Sequence, residues 1–381
     1  MKVYLDYNST VPLTSEHLKE VVGILEEKDG NPSNTHFVGR RAKVELEKSR
    51  KALAKLVGAK SNEIIFNSGA TEGNNHVLVG FASNSDQKPT YIISQGEHSS
   101  VYETCKELEK KNQIDLVVVP LLENGTVDQN ILFEEVEKAT ANKRSVLVSV
   151  IYVNNETGII NSVHSIASKL KEINSELYFH VDSVQALGKL NLENLANSEI
   201  DSAVFSAHKI GGFKGVGAIY KKKSFSIAPV ITGGGQERSQ RSGTENLPGI
   251  VSFGLRCEAL ANKDNNLFTS NELFEKLISG LKSIDNVIIH GDLLYSNKAA
   301  INFHLKGCSF DKVNLLLEMA GIAVSNGSAC SSGVAKPSRV LLAMGYDENI
   351  ASNSLRVSLG EQTTEEEVEY FVNQISNIVK K

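Results

Sequence analysis

The chain has 381 residues, 41% of them hydrophobic and 22% charged, with a formal net charge of -5. At roughly 150 residues per domain this length suits two or three domains with a sizeable core, and the acidic balance excludes a general binder of nucleic acid or of an anionic membrane, both of which need surplus positive charge. No apolar run approaches the roughly 20 residues needed to span a bilayer, and Met1-Lys2-Val3-Tyr4-Leu5-Asp6 meets charge too early for a secretory hydrophobic region, so a soluble cytoplasmic protein is expected.

From about residue 60 to about residue 225, strand and helix patterns alternate. The predicted strands are Glu63–Phe66, Tyr91–Ser94, Leu116–Val119, Ser145–Ile151, Leu177–Val181, Ser202–Phe205 and Val216–Tyr220. Such alternation implies an α/β fold, a mainly parallel sheet covered by helices on both faces. A long helix around Gly249–Ala261 leads into a different pattern. Beyond it come a helix near Asn266–Leu281, strands at Asn286–His290 and Ala299–His304, helices at Asp311–Ala320 and Ser338–Met344, and a strand at Ser354–Leu359. The closing helix starts at Thr363 or Thr364, where Thr363 and Glu366 have capping-box spacing. This α+β pattern predicts a smaller second domain from about residue 260. No repeat, low-complexity tract or Pro-rich linker interrupts the chain.

Several segments carry chemistry, each with a plainer alternative. Ser68-Gly69-Ala70-Thr71-Glu72 lies between a strand and a helix; it suits a phosphate at the helix start, or is an ordinary turn. It lacks the Lys of a nucleotide triphosphate loop. His98 opens a helix after a strand, either as a cap or to stack on a planar ring. His180-Val181-Asp182 ends one strand and Ser206-Ala207-His208-Lys209 ends the next, at the edge where open α/β sheets bind ligands. An Asp and a Lys placed there suit pyridoxal phosphate, the Lys holding the aldehyde as a Schiff base and the carboxylate keeping the pyridine nitrogen protonated. Ile231–Asn246 contains three consecutive glycines with Arg238, Arg241, Ser242 and Thr244, and reads as an anion contact or a mobile surface loop. The cysteines, Cys105, Cys257, Cys308 and Cys330, form no C-x-x-C pair, which disfavours a metal site built by this chain. Cys330 lies in the small polar run Asn326–Gly333, as a nucleophile or sulfur carrier requires. Arg356 is either a bidentate clamp for a substrate carboxylate or an exposed strand residue.

Together these motifs resemble the NifS/IscS-like cysteine desulfurases among the class V, fold-type I pyridoxal-phosphate enzymes. The resemblance runs from Tyr4–Thr10 through Gly30-Asn31-Pro32-Ser33, Ser68–Glu72, Glu97-His98, Val153–Gly158, His180–Asp182, Ser206–Lys209 and Arg241–Thr244 to Gly327–Cys330, nearly the whole chain. It implies a large cofactor-binding domain over residues 15–260, built on a mainly parallel seven-stranded sheet, with residues 1–14 and 261–381 forming the smaller one. It implies that Lys209 carries the cofactor, that Asp182 pairs with its ring nitrogen, and that His98 stacks on the ring and moves protons. Gln185 and Asn155 would contact the phenolic oxygen or the substrate region, and Ala70, Thr71, Ser206 and His208 would hold the phosphate. Thr244 would reach the neighbouring subunit's phosphate, making a homodimer part of the site. Arg356 would bind the carboxylate of L-cysteine, and Cys330 would carry a persulfide to a sulfur-acceptor protein such as an iron-sulfur scaffold, or toward tRNA thiolation. No metal is implied in this site.

The chain departs from the family pattern at Phe213, where a Pro is usual, and is expected to lack the C-terminal extension many members use to dock a scaffold. The alternatives are another class V activity, such as a selenocysteine lyase or an aminotransferase, and a noncatalytic sulfur carrier. The loop thiol Cys330 disfavours a simple aminotransferase, and the intact Lys209 and Asp182 disfavour the carrier.

Overall fold

The computed structural model describes residues 1–262, 271–326 and 336–380. In chain order the elements begin with β1 (Val3–Tyr4), α1 (Ser15–Lys28), α2 (Phe37–Leu56), β2 (Ile64–Asn67), α3 (Ala70–Asn84), β3 (Thr90–Ser94), α4 (Ser99–Lys110) and β4 (Asp115–Val119). They continue with α5 (Gln129–Ala141), β5 (Val146–Ser149), α6 (Val163–Ile173), β6 (Tyr178–Asp182), β7 (Ser202–Ser206), β8 (Gly217–Lys221) and α7 (Leu247–Asn262). The remainder is α8 (Asn271–Lys282), β9 (Val287–Ile289), β10 (Ala300–Leu305), α9 (Phe310–Met319), β11 (Ile322–Ala323), α10 (Arg339–Ala343), α11 (Glu348–Ser352), β12 (Ser354–Ser358) and α12 (Glu365–Val379).

Seven strands form one sheet in the order β2-β8-β7-β6-β5-β3-β4. Only β8 runs against its neighbours; the pairings from β7 to β4 are parallel. Because side chains alternate along a strand, Ile92, Phe179, Val181 and Phe205 enter one core with α2, α5, α6 and α7, while Tyr91, Ile93, Val204 and Ile219 enter another with α3 and α4. Helices therefore cover both faces, as the near-continuous apolar strands require. Helices α2 and α7 approach closely at Gly254, where an added Cβ would lie 2.4 Å from Ser49 Cβ.

A separate, smaller core gathers Val3 and Leu5 with Phe274, Phe303, Leu317 and Phe371. Here β12-β10-β9 form an antiparallel sheet and β1 pairs in parallel with β11. The first five residues thus fold with the last third of the chain. The sequence reading left β1, β11, α1 and α2 unassigned; two-residue strands are too short for a period to register, and α2 is charged on its exposed face. The start of α12 lies at Thr364, whose hydroxyl accepts from Glu367 N (3.2 Å) while Glu367 returns a bond to Thr364 N (2.9 Å). Thr363 is engaged elsewhere, accepting from Gly360 N at 2.9 Å, so the capping box sits one residue beyond the Thr363–Glu366 spacing.

In the smaller core His290 is 1% exposed, bonded to Asn302 Oδ1 (2.7 Å) and to His304 Nδ1 (3.1 Å). Burial lowers its pKa to about 4, the Asn302 bond opposing the fall and His304 adding to it. A folded value below the unfolded one means that the unfolded chain binds more protons between the two, so stability falls as pH drops from the unfolded value toward about 4. Between about pH 7.5 and about pH 5 His290 alone should remove about 2 kcal/mol. Urea unfolding at the two pH values should show His290→Gln losing less stability than the parent by about that amount, and equal losses would refute the assignment.

Candidate active site

The carboxyl edge of the large sheet is where the sequence-selected residues meet. Strand β6 ends at Asp182 and β7 at Ser206, and a single 3₁₀ turn, Ala207–Ile210, carries Lys209 beyond it. Lys209, Asp182, His98 and Arg356 line one cavity of about 490 Å³. Gln185, Asn155, Ser206 and His208 share its wall, and Ala70 and Thr71 close one end. Thr244 is exposed and does not line this cavity. Cys330 lies outside the described residues.

Lys209 is held by main-chain oxygens. Its Nζ donates to Asn8 O (2.7 Å) and Ser9 O (2.8 Å). Asp182 is 3% exposed, with Oδ2 accepting from Asn74 Nδ2 (2.9 Å) and Oδ1 from Val184 N (3.1 Å). Since the Asn74 amide turns its nitrogen to a carboxylate, its oxygen must face His180, whose Nε2 lies 2.9 Å away. His180 therefore carries its proton on Nε2, and Nδ1 accepts from the Ser202 hydroxyl at 2.9 Å. Burial lowers His180 to about 3, so the ring stays neutral and this order is kept.

The same Asn74 nitrogen donates to Ser100 Oγ (2.8 Å), whose hydroxyl lies 2.8 Å from His98 Nδ1. Ser100 N also donates to that nitrogen at 3.1 Å as His98 caps α4. Nδ1 is thus an acceptor, and neutral His98 carries its proton on Nε2. The capping and ring-facing readings of His98 are compatible, because capping uses one ring nitrogen and leaves the other to hold the proton. Glu97, beside it, is raised to about 8 by burial and by nearby Asp182. At neutral pH it is largely protonated and adds no second full charge beside Asp182.

At the other end of the cavity, α3 begins at Ala70 with no side chain capping it. Gly69, the N-cap, has φ +151°, a conformation that L side chains rarely adopt. The open N–H groups and the positive end of the helix dipole suit a phosphate. His208 reaches the same cavity with its pKa lowered to about 4 by burial and by Lys209 and Lys214.

Two arginines read as anion donors are already committed. Arg241 pairs with Glu72 through Nε (2.7 Å) and Nη2 (3.0 Å), and Arg238 lies 3.6 Å from Glu47. The bidentate Glu72 partner occupies the Arg241 fork, whereas the Arg238 contact is long and partly exposed. The loop is also anchored: Glu237 accepts from Arg50 through both oxygens (2.6 and 2.7 Å) and from Phe66 N (2.8 Å). That buried clasp holds Glu237, Arg238 and Ser239 at φ of 47°, 58° and 62°, left-handed conformations that cost non-glycine residues about 1–2 kcal/mol each.

Arg356 is buried in β12. Its Nη2 donates to Asp6 Oδ1 (2.7 Å) and its Nη1 to Asn155 O (3.1 Å), while Nε is buried with no hydrogen-bond partner among the described residues. It is therefore not the exposed strand residue of the plainer reading. Ser325 exchanges both main-chain bonds with Arg356 (2.7 and 3.3 Å), one residue before the segment that leads to Cys330. Burial pushes the Cys105 and Cys257 thiols well up, which makes them poor nucleophiles. The Phe213 departure has a local cause: Phe213 N donates to Ser252 Oγ at 2.9 Å, a bond a proline lacks.

The sequence reading gave no role to Asn74, Ser100, Asp6, Asn8 or Lys189, and none to His180 beyond its place in the motif. Only His180 left a legible trace, a polar residue in the middle of an otherwise apolar strand. The amine, the buried carboxylate and the uncapped helix start together fit a phosphorylated pyridine aldehyde.

The class-V aminotransferase family model matches residues 3–371. Cysteine desulfurase IscS from Dictyoglomus turgidum is 37% identical over 383 residues, covering 100% of this chain and 95% of its own. A solved NifS-like protein superposes with a TM-score of 0.89 at 37% identity, covering 100% of both chains. SspA, solved in complex with cysteine, superposes with a TM-score of 0.81 at 27% identity, covering 95% of this chain and 100% of its own. The chain belongs to the class-V aminotransferase family of pyridoxal-phosphate enzymes, and within it to the cysteine desulfurases.

Proposed function

We propose that the protein is a homodimeric cysteine desulfurase that converts L-cysteine to L-alanine and passes the sulfur through Cys330 to an acceptor protein, for iron-sulfur cluster assembly or tRNA thiolation, in the cytoplasm. The observation that carries this reading is one cavity lined by the Lys209 amine, the Asp182 carboxylate and the Arg356 guanidinium. Bound there, pyridoxal phosphate supplies an aldehyde for Lys209 and a ring that takes up carbanion charge while its nitrogen is protonated.

The side chains divide the work. Asp182, fixed by Asn74 and Val184, holds the proton on the ring nitrogen. The uncapped start of α3, with Ser206 and His208, holds the phosphate. Arg356 takes the substrate carboxylate, the buried Nε and the Nη groups providing the donors, with Asp6 balancing its charge until substrate arrives. His98 Nε2 holds a proton to hand to the substrate carbon once the C–S bond has broken. The Cys330 thiolate attacks the substrate sulfur, forming an S–S bond as the C–S bond breaks; the electron pair stays with the substrate carbon, which is then protonated to alanine. Unpaired Cys105, Cys257 and Cys308 fit a reducing compartment. Thr244, exposed on its own subunit, is available to a partner's phosphate.

Lys209→Ala should abolish the visible cofactor absorbance and turnover, because the amine just beyond β7, in the cavity that Asp182 also lines, is then missing. Normal desulfurase activity in this variant would defeat the cofactor assignment. Cys330→Ser should still bind cofactor and cysteine but lose sulfide and alanine production, since a hydroxyl is a weak nucleophile toward sulfur. Mass spectrometry after brief exposure to cysteine should find one added sulfur on Cys330 of the parent; finding it on Cys308 would exclude this route. If Thr244 completes a neighbour's phosphate site, dilution to monomer should release the cofactor, and sedimentation of a fully active monomer would rule the shared site out.

A further inference from the structure

Lys189 has no part in the chemistry above, yet it is only 5% exposed beside the cavity. Its Nζ donates to Asn8 Oδ1 (2.7 Å) and to Gln185 Oε1. Burial, and then the charges of Lys209 and Arg356, push its pKa well below the ordinary lysine value. Even a neutral amine has two N–H groups, enough for both bonds.

These contacts settle which end of each amide faces which way. Gln185 gives its oxygen to Lys189 and so turns Nε2 to Asn8 O (2.9 Å). Asn8 gives its side-chain oxygen to Lys189 and turns Nδ2 to Asn155 O (3.1 Å). Asn8 O is the same atom that receives the Lys209 Nζ at 2.7 Å. Of the two hydrogens on Gln185 Nε2, one is used on Asn8 O, so the amide presents a donor rather than an acceptor to the cavity it lines. A phenolic oxygen carrying negative charge needs a donor there; a flipped amide would oppose oxygen to oxygen.

We propose that Lys189 is a positioning residue that fixes the Gln185 and Asn8 amides, so that Gln185 meets the cofactor's phenolic oxygen with an N–H and Asn8 keeps its carbonyl on Lys209. The inference rests on the cofactor reading above. It concerns a residue that does not itself line the cavity among the described residues.

The test is equilibrium dialysis of pyridoxal phosphate against the full-length apoprotein, with melting of each apoprotein as a check on folding. Lys189→Met should weaken cofactor affinity by about ten- to a hundredfold, the range for one charge-assisted hydrogen bond. Gln185→Leu should weaken it similarly, and adding Lys189→Met to that variant should cost clearly less than Lys189→Met does alone, because much of the lysine's effect runs through the Gln185 amide it orients. Parent-like affinity in Lys189→Met, or full additivity in the double variant, would overturn the proposal. A parent that binds no pyridoxal phosphate would overturn the cofactor reading and this inference with it. Should Lys189→Met not fold, nitrogen-15 NMR of the parent decides: the Gln185 side-chain N–H signals should shift on adding pyridoxal phosphate, and an unshifted pair would refute the orientation.

Discussion

The active site depends on a strap of main chain. Residues 3–11 leave the smaller core, where Val3 and Leu5 are buried, and cross the carboxyl edge of the large sheet. Asn8 N donates to Ser358 Oγ (2.9 Å) on one side, and Val11 N to His208 O (2.9 Å) on the other. Between these ties the carbonyls of Asn8 and Ser9 receive Lys209, and Asp6 receives Arg356. A long, flexible lysine loses much rotamer freedom when held, and two carbonyls offset that cost while fixing the amine in one place. Lys209, just beyond the end of a strand of the large sheet, and Arg356, in a strand of the small one, are therefore positioned by the same short segment.

Around this strap the protein manages buried charge mostly by discharging it. His180 and His208 are neutral at physiological pH and Glu97 is largely protonated, in each case chiefly because burial disfavours the charged form. Asp182 instead is held by donors that suit a carboxylate. The chain from Asp182 through Asn74 and Ser100 to His98 links two groups that line the cavity, and it fixes the tautomer of His98 and, through Asn74, of His180. At the other end of the cavity the uncapped start of α3 leaves main-chain donors open.

A second clasp stands apart from the cavity. The Arg50–Glu237 pair is buried and bidentate, with the guanidinium 4.8 Å from the centre of the Phe66 ring. Burying such a pair is costly unless its hydrogen bonds are complete, and here Ile64 O and Phe66 N complete them. It holds a left-handed stretch of three non-glycine residues shortly before buried Ser242 and exposed Gly243 and Thr244, giving that segment a fixed base.

The alternating sheet was legible in the sequence because buried parallel strands read as short apolar runs, and strand ends moved by only a residue or two. Lys209, Asp182, His98 and the start of α3 were legible for a related reason: they end strands or begin helices, positions that local pattern locates. The amino-acid sequence by itself thus determined the layered fold and the chemical inventory of the site. Tertiary structure alone decided which groups those side chains meet. Arg241 and Arg238, free donors on paper, are taken by Glu72 and Glu47 from distant parts of the chain. The carbonyls of Asn8 and Ser9 belong to every residue type and leave no mark in a sequence, and the bonds of Gln185 and Lys189 to Asn8 join positions 177 and 181 residues apart. Such partners are invisible to local pattern because their free energy comes from burial and long-range hydrogen bonds, which exist only once the chain has closed on itself.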